Sequence, residues 1–178
     1  MPQPQVPHCP AALARILRVA PLVPLSLALT AFCRHIGKRH PGLFRRLGEH
    51  SRVRFVLNPV DLPIMLCLAP NGGAPTVRAL RGNCEGEARI SGPFAALLGL
   101  VHGAYDGDAL FFSRDLVIEG DTGAVLALRN AVDDAELDLS QEIAALSGPF
   151  SSIILQTAAF AERRTGVSMA RPEEDLAW

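Results

Sequence analysis

The sequence predicts an α+β layer fold, with about five mostly antiparallel strands, helices gathered on one face, and a basic, apolar helical arm ahead of them. Three observations carry this. From residue 51 onward, short alternating or continuous apolar runs are separated by Gly, Asn and Pro turns. Helix-periodic segments come in blocks between and after those runs, instead of alternating one for one with them. The first 50 residues carry Leu, Ala, Arg and Lys in a helical pattern and have no strand signal.

Each element follows from a local reason. Residues 1–10 are rich in Pro and Gln and are expected to be disordered. Residues 11–39 read as helix, broken or kinked near Pro21 and Pro24, because proline lacks an N–H and clashes with the preceding turn. PGLFRRLGEH (41–50) reads as a short amphipathic helix with Leu43, Phe44 and Leu47 on its dry face and Arg45 and Arg46 on its wet face. RVRFVLNP (52–59) alternates as a half-buried strand does, and LPIMLCL (62–68) is a continuous apolar strand. Asn71-Gly72-Gly73 is a turn. Residues 76–80 and 87–90 are two further strands around Gly82-Asn83. Residues 93–102 form a helix opened by Ser91 and Gly92, with Pro93 in its first turn. Asp106-Gly107-Asp108 is a turn, and 109–112 and 116–119 are strands. Residues 122–132 form a helix with Asp121 or Thr122 as N-cap, its core face built on Val125, Leu126 and Leu128. A short helix at 140–146 and a longer one at 148–164, stopped by Gly166, complete the fold.

Composition narrows the class. The chain is 49% hydrophobic and 20% charged, too apolar for a disordered chain. Its apolar mass is Leu, Ala, Val and Ile with some Phe, which suits an aliphatic interior better than a base-stacking platform. The net charge of −1 conceals an asymmetry. Residues 1–60 hold nine Lys/Arg against one acid, Glu49, and the remainder is acidic. A basic arm on an acidic body calls for an anionic partner. The basic residues are interleaved with Leu and Phe and not with Tyr or Trp, which argues against nucleic acid. Cys9, Cys33, Cys67 and Cys84 form no CxxC pair and no disulfide framework. They read as reduced thiols of a cytoplasmic protein, with Cys67 in the core of an apolar strand.

VAPLVPLSLALTAFC (19–33), preceded by Arg15 and Arg18, imitates a signal peptide. Pro21 and Pro24 interrupt it, no small-x-small cleavage site follows, and Phe32 precedes Cys33 where a lipoprotein signal needs a small residue. The run is also shorter than the roughly 20 residues that a membrane span requires. A protein-packed helix and a helix lying in a membrane interface remain the two main readings, ahead of a cleaved signal.

No constellation of catalytic type emerges. Cys33, His35 and His40, or His8 and Cys9, lack paired zinc spacings, so no metal is expected. Asp106-Gly107-Asp108 lacks the further ligands of a calcium loop. GNCEGE (82–87) is acidic and lacks the lysine of a phosphate loop. The serines have no nucleophile-elbow context. His102, at the end of an apolar helix, reads as a cap or packing residue, with a contact to a bound headgroup as the functional alternative. The helices 93–100 and 148–160 offer Phe94, Leu97, Leu98, Phe150, Ile153 and Ile154. Periodicity alone cannot separate ordinary core from cavity wall at these positions.

Two segments resemble a known family. ARISGPFAALLGLVHG (88–103) and, more specifically, FFSRDLVIEGDTGAVLALRNAVDD (111–134) resemble the sterol carrier protein type 2 (SCP2) domain over residues 52–165. The basic, apolar arm resembles the UbiT-like ubiquinone-biosynthesis accessory factors of that family. The EDLAW terminus carries no SKL-type address of the peroxisomal carriers. The resemblance implies three segments: a tail and helical arm (1–50), a lipid-binding domain whose sheet and helices enclose an apolar cavity (51–166), and a loose tail (167–178).

The resemblance further implies a non-enzymatic, cofactor-free accessory factor. It would bind an isoprenoid quinone or its precursor and support oxygen-independent ubiquinone synthesis beside the hydroxylases of that pathway. The expected cavity residues are Phe94, Leu97, Leu98, His102, Tyr105, Phe112, Phe150, Ile153 and Ile154. The arm is expected to dock peripherally on anionic membrane through Arg15, Arg18, Arg34, Lys38 and Arg39, with Leu22, Leu25, Leu27 and Leu29 inserted shallowly. A homodimer is compatible with this reading. The alternative is a protein–protein scaffold with a non-functional cavity, its basic arm binding acidic partners.

Overall fold

The computed structural model describes residues 11–102, residues 116–135 and Glu142. The strand expected at 109–112 and the helices at 140–146 and 148–164 lie outside the described residues, Glu142 excepted.

Helix α1 (Ala11–Val19) and helix α2 (Leu22–Arg39) are separated at Pro21, whose extended backbone starts the second helix. Pro24 does not break α2: it occupies the first turn, where its missing N–H has no intrahelical partner in any case. Helix α3 (Pro41–Arg46) is shorter than the sequence predicts and passes into a 3₁₀ segment, Gly48–Arg52. The predicted dry face holds, with Leu43 and Leu47 buried.

Five strands follow: β1 (Phe55–Pro59), β2 (Met65–Ala69), β3 (Thr76–Leu80), β4 (Ala88–Gly92) and β5 (Val117–Gly120). Their order is β3-β2-β1-β4-β5. All neighbours are antiparallel except β1 and β4, which run parallel with Phe55 beside Ala88 and Leu57 beside Ile90. Helix α4 (Phe94–His102) follows β4, and helix α5 (Thr122–Ala135) follows β5. Asp121 is the N-cap of α5, its Oδ1 accepting from the Ala124 N–H at 2.9 Å.

Strand periodicity sorts the sheet into two faces. Phe55, Leu57, Leu66, Leu68, Val77, Ala88, Ile90 and Ile118 share one face, and all of the described α-helices that pack on the sheet take part in the interior on that side. The other face carries Asn58, Arg78, Arg89, Ser91 and Glu119. The connection from β3 to β4 crosses this polar face. Arg89 holds it there by donating to the Cys84 carbonyl at 2.9 Å and to Asn83 Oδ1 at 3.1 Å. The crossing chain lies so flat that a Cβ on Gly86 would stand 2.7 Å from Val56 Cγ2. This buries Val56 and Cys84, although neither belongs to the main core cluster.

The structure departs from the sequence reading at Leu126, which is 56% exposed while Ala124, Val125 and Ala131 form the buried face of α5, and at two further places. Cys67 belongs to the polar face, half-buried beneath the crossing chain, with its thiol toward the Glu85 carbonyl at 3.8 Å. A run as uniformly apolar as LPIMLCL does not reveal which alternate residues face inward. Ser91 and Gly92 do not open α4 but end β4, and Ser91 Oγ accepts from Asn58 Nδ2. The Phe94 N–H instead donates to Asp61 Oδ1 at 2.8 Å, a contact made 33 residues away along the chain.

The free edge of β3 is closed by α2. Thr30 Oγ1 donates to the Val77 carbonyl at 3.0 Å and accepts from the Val77 N–H at 2.9 Å. Ser26 Oγ accepts from the Ala79 N–H at 2.9 Å, and Arg34 Nε donates to the Pro75 carbonyl at 3.2 Å. Four residues of helix rise about 6 Å, and two residues of strand about 6.7 Å. A helix stripe at every fourth residue therefore keeps step with alternate residues of the strand edge. Beyond it, the Arg81 guanidinium donates to the carbonyls of Leu17 and Ala20, capping the end of α1.

Two stability outcomes follow. Gly120 adopts φ +80°, and any Cβ there would collide with the Glu87 carbonyl. Gly120→Ala is expected to lose about 2–4 kcal/mol in urea unfolding, from the left-handed backbone and the clash together. Ser26→Ala combined with Thr30→Val strands three edge groups of β3 and is expected to cost about 2–4 kcal/mol. The same double variant should speed hydrogen exchange at the Val77 and Ala79 amides; unchanged exchange there would refute the edge-closing role.

Candidate ligand cavity

The sheet's inner face and the helices do not meet everywhere. Between them is a cavity of about 240 Å³. Its floor is Leu57, Leu66, Leu68, Val77 and Ile90 from four of the strands. Helix α2 supplies Leu29, Phe32, Cys33 and Ile36, and α3 supplies Leu43 and Phe44. Helix α4 supplies Leu97, Leu98 and Leu100, and α5 supplies Val125, Leu128, Arg129 and Val132.

The wall is hydrocarbon except at two places. Burial pushes the Cys33 thiol up to about 11, so it stays neutral and behaves as a small apolar group. Arg129 is the one charged residue in the described wall, and its guanidinium is engaged 3.5 Å from Asp133, one turn on. Such a lining binds by removing apolar surface from water, at about 25 cal/mol per Å² buried. It selects for an aliphatic ligand and against a polar one, because a polar group placed there would lose its hydrogen bonds to water.

The residues expected from sequence are distributed as follows. Leu97 and Leu98 stand in the wall. Phe94 is half-buried at the start of α4, outside the described wall. His102 ends α4. Tyr105, Phe112, Phe150, Ile153 and Ile154 lie outside the described residues. The sequence reading missed α2's contribution, although Leu29, Phe32, Cys33 and Ile36 fall at the i, i+3, i+4, i+7 spacing of a buried stripe. The same helix carries prolines and flanking arginines, so its sequence marks an outer surface as strongly as a buried stripe.

On that outer surface, Arg15, Arg18 and Lys38 are exposed with no ion-pair partner among the described residues. Arg34 is committed to the Pro75 carbonyl. Arg39 donates to Glu142 Oε2 at 3.3 Å, and His40 Nε2 lies 3.2 Å from Oε1 of the same buried carboxylate. His35 Nε2 approaches it at 3.6 Å. Leu22 and Leu25 are half-buried, and Leu29 lines the cavity. The exposed apolar side chains of the arm are Ile16, Val19, Val23 and Leu27, between 59% and 84% accessible. No cluster of three His, Cys, Asp or Glu suited to a metal occurs among the described residues. Likewise, no helix among the described residues is long and apolar enough to cross a membrane.

Comparison with known proteins agrees with this architecture. Among solved structures, the chain is similar to a UbiJ-SCP2 ubiquinone synthesis protein, with a TM-score of 0.53 and 18% identity over 66% of this chain and 96% of that one. It is also similar to a sterol carrier protein 2, with a TM-score of 0.46 and 18% identity over 60% of this chain and 91% of that one. Sterol carrier protein 2 from Yarrowia lipolytica matches with a TM-score of 0.44 and 15% identity over 68% of this chain and 98% of that one. None of the curated proteins matches. The model of the SCP-2 sterol transfer family matches residues 30–133, from the middle of α2 to the last turns of α5 and thus across every described wall residue but Leu29. With more than half of its length matched, an α+β sheet of the corresponding fold and an apolar cavity beneath its helices, the chain belongs to the SCP-2 sterol transfer family.

Proposed function

We propose that this protein holds the chain of an isoprenoid lipid in the cavity and serves, without catalysing a reaction, as an accessory factor in ubiquinone biosynthesis. The observation that carries the reading is the hydrocarbon wall contributed by four strands and four helices. The pathway is supported by the UbiT-like character of the arm and by the printed name of the UbiJ-SCP2 ubiquinone synthesis protein, which shares the fold. The oxygen-independent branch, with hydroxylases as receivers of the lipid, belongs to the same proposal.

The cavity volume lies just below the range of about 300–1,000 Å³ common for small-molecule sites. It therefore accommodates part of a long chain in this state, and a full polyprenyl tail requires the helices to part. The same small volume supports the alternative reading, a scaffold whose cavity is collapsed. Leu98→Trp separates the two. An indole at Leu98 fills the space between α4 and the sheet floor and is expected to weaken binding of a prenylquinone more than tenfold while the protein remains folded by circular dichroism. Wild-type protein that takes up no prenylquinone would favour the scaffold.

For the membrane, the proposal uses the exposed stripe Ile16, Val19, Val23 and Leu27 beside Arg15 and Arg18. Apolar insertion and cationic attraction together give reversible peripheral attachment. Removing the whole arm would also strip α2 from the edge of β3 and from the cavity, so point variants are the cleaner test. Val19→Asp with Val23→Asp is expected to abolish cosedimentation with vesicles containing anionic lipid while leaving the urea midpoint nearly unchanged. Retained cosedimentation would remove the stripe from the proposal.

A further inference from the structure

Two of the cysteines meet on the polar face of the sheet, on the side away from the cavity. Cys67 stands in β2, in register with Val56 of β1 and Arg78 of β3. Cys84 belongs to the chain that crosses this face from β3 to β4, and it is buried there. The two thiols converge on one atom, the Glu85 carbonyl oxygen, with Cys67 Sγ at 3.8 Å and Cys84 Sγ at 3.7 Å. They also lie within hydrogen-bond reach of each other. Both are free thiols.

The crossing chain is fixed on both sides of Cys84. Arg89 donates to the Cys84 carbonyl at 2.9 Å and to Asn83 Oδ1 at 3.1 Å. Two residues on, a Cβ at Gly86 would stand 2.7 Å from both Val56 Cγ2 and the Arg54 carbonyl oxygen, so the chain lies tight against β1. The Arg54 N–H and guanidinium then hold Glu87. Two thiols kept together in this way need little further ordering to join. Access to them is unequal, since Cys84 is buried and Cys67 is half-buried, so a reagent from solvent reaches Cys67 first. Burial and then the neighbouring Cys84 push the Cys67 thiol up to about 11. Its thiolate is therefore scarce near neutral pH, and the first attack is the slow one.

We propose that Cys67 and Cys84 form a reversible disulfide, made by exchange with a small disulfide such as glutathione disulfide, that fastens β3 and the crossing chain to β2. Cys67 gives up its proton and its sulfur attacks one sulfur of the small disulfide. That S–S bond breaks, and one glutathione leaves and takes up the proton. Cys84 then loses its proton and attacks Cys67 Sγ, and the second glutathione leaves as a thiol. Two cysteine thiols are oxidised to one disulfide, and one glutathione disulfide is reduced to two thiols. The closed loop, 67–84, contains all of β3. The one neighbour of β3 in the described sheet is β2, and its other edge carries α2, which walls the cavity. The cross-link thus secures the edge strand on which that helix is mounted.

The test uses the full chain, equilibrated with excess glutathione disulfide. Remaining thiols are blocked with N-ethylmaleimide, and unreduced tryptic peptides are identified by mass spectrometry. The expected product joins peptide 55–78 to peptide 82–89, and dithiothreitol separates them. In the oxidised protein, amide hydrogen exchange across 76–80 is expected to slow about tenfold, because the cross-link removes open states in which the edge strand detaches. Cys67→Ala should form no such product, and the same oxidant should leave its exchange unchanged. Cys84→Ala should behave in the same way, which guards against a folding defect particular to either variant. Recovery of Cys67 and Cys84 as blocked thiols or as separate glutathione adducts, or pairing of either with Cys9 or Cys33, would overturn the proposal. So would a 67–84 link that leaves exchange across 76–80 unchanged, since β3 would then gain nothing from it.

Discussion

The pairing of α2 with the edge of β3 is the contact on which the remaining structure depends. An open sheet edge exposes N–H and C=O groups that must find partners or invite another chain. Here the hydroxyls of Ser26 and Thr30 and the guanidinium of Arg34 provide them, one helical turn apart. The pairing fixes the rotation of α2 about its axis. With Ser26, Thr30 and Arg34 turned to the strand, the stripe Leu29, Phe32, Cys33 and Ile36 turns into the cavity, and Val23 and Leu27 turn outward. One helix thereby closes an edge, walls a cavity and presents an apolar outer surface.

The cavity lies between two buried clusters that share some of its wall residues. A second buried cluster, Ile36, Leu43, Leu47 and Ala131, joins α2, α3 and α5 at one end. Phe55, Ala88, Ala96, Ala124 and Val125 pack α4 and α5 on the sheet at the other. The small side chains Ala88, Ala96 and Ala124 let helix and sheet approach closely there. Between the two clusters the lining is mostly Leu, whose flexible ends leave room that no described side chain fills. The caps supplied by Asp121 and Asp61 fix the starts of α5 and α4, so the cavity roof is held from both helix N-termini.

Polar groups are kept to the opposite side. The crossing chain between β3 and β4, pinned by Arg89 and by the Arg54–Glu87 pair, buries Val56 and Cys84 without adding to the cavity. Strand alternation makes this separation possible: each strand contributes hydrocarbon to one side and hydrogen-bonding side chains to the other. The protein thus has an interior with almost no groups able to hold a polar ligand, next to an arm and an α3 region rich in cations.

Much of this was legible in the chain. Alternation located the strands to within a few residues, with 76–80 matching β3 throughout, and the Gly120-Asp121 junction gave both the end of β5 and the cap of α5. Of the nine residues expected to line a cavity, Leu97 and Leu98 stand in the described wall. Sequence by itself determined the class of fold and the apolar character of the chain, because those depend on local periodicity and composition, and it carried the family only through the resemblance of residues 88–103 and 111–134 to SCP2 domains. Only the tertiary structure decided which side of β2 carries Cys67, that Asp61 caps α4 in place of Ser91, and that α2 completes the cavity wall. Each of those depends on a partner distant along the chain, and a uniformly apolar strand or an amphipathic helix contains no local mark of the partner it will meet.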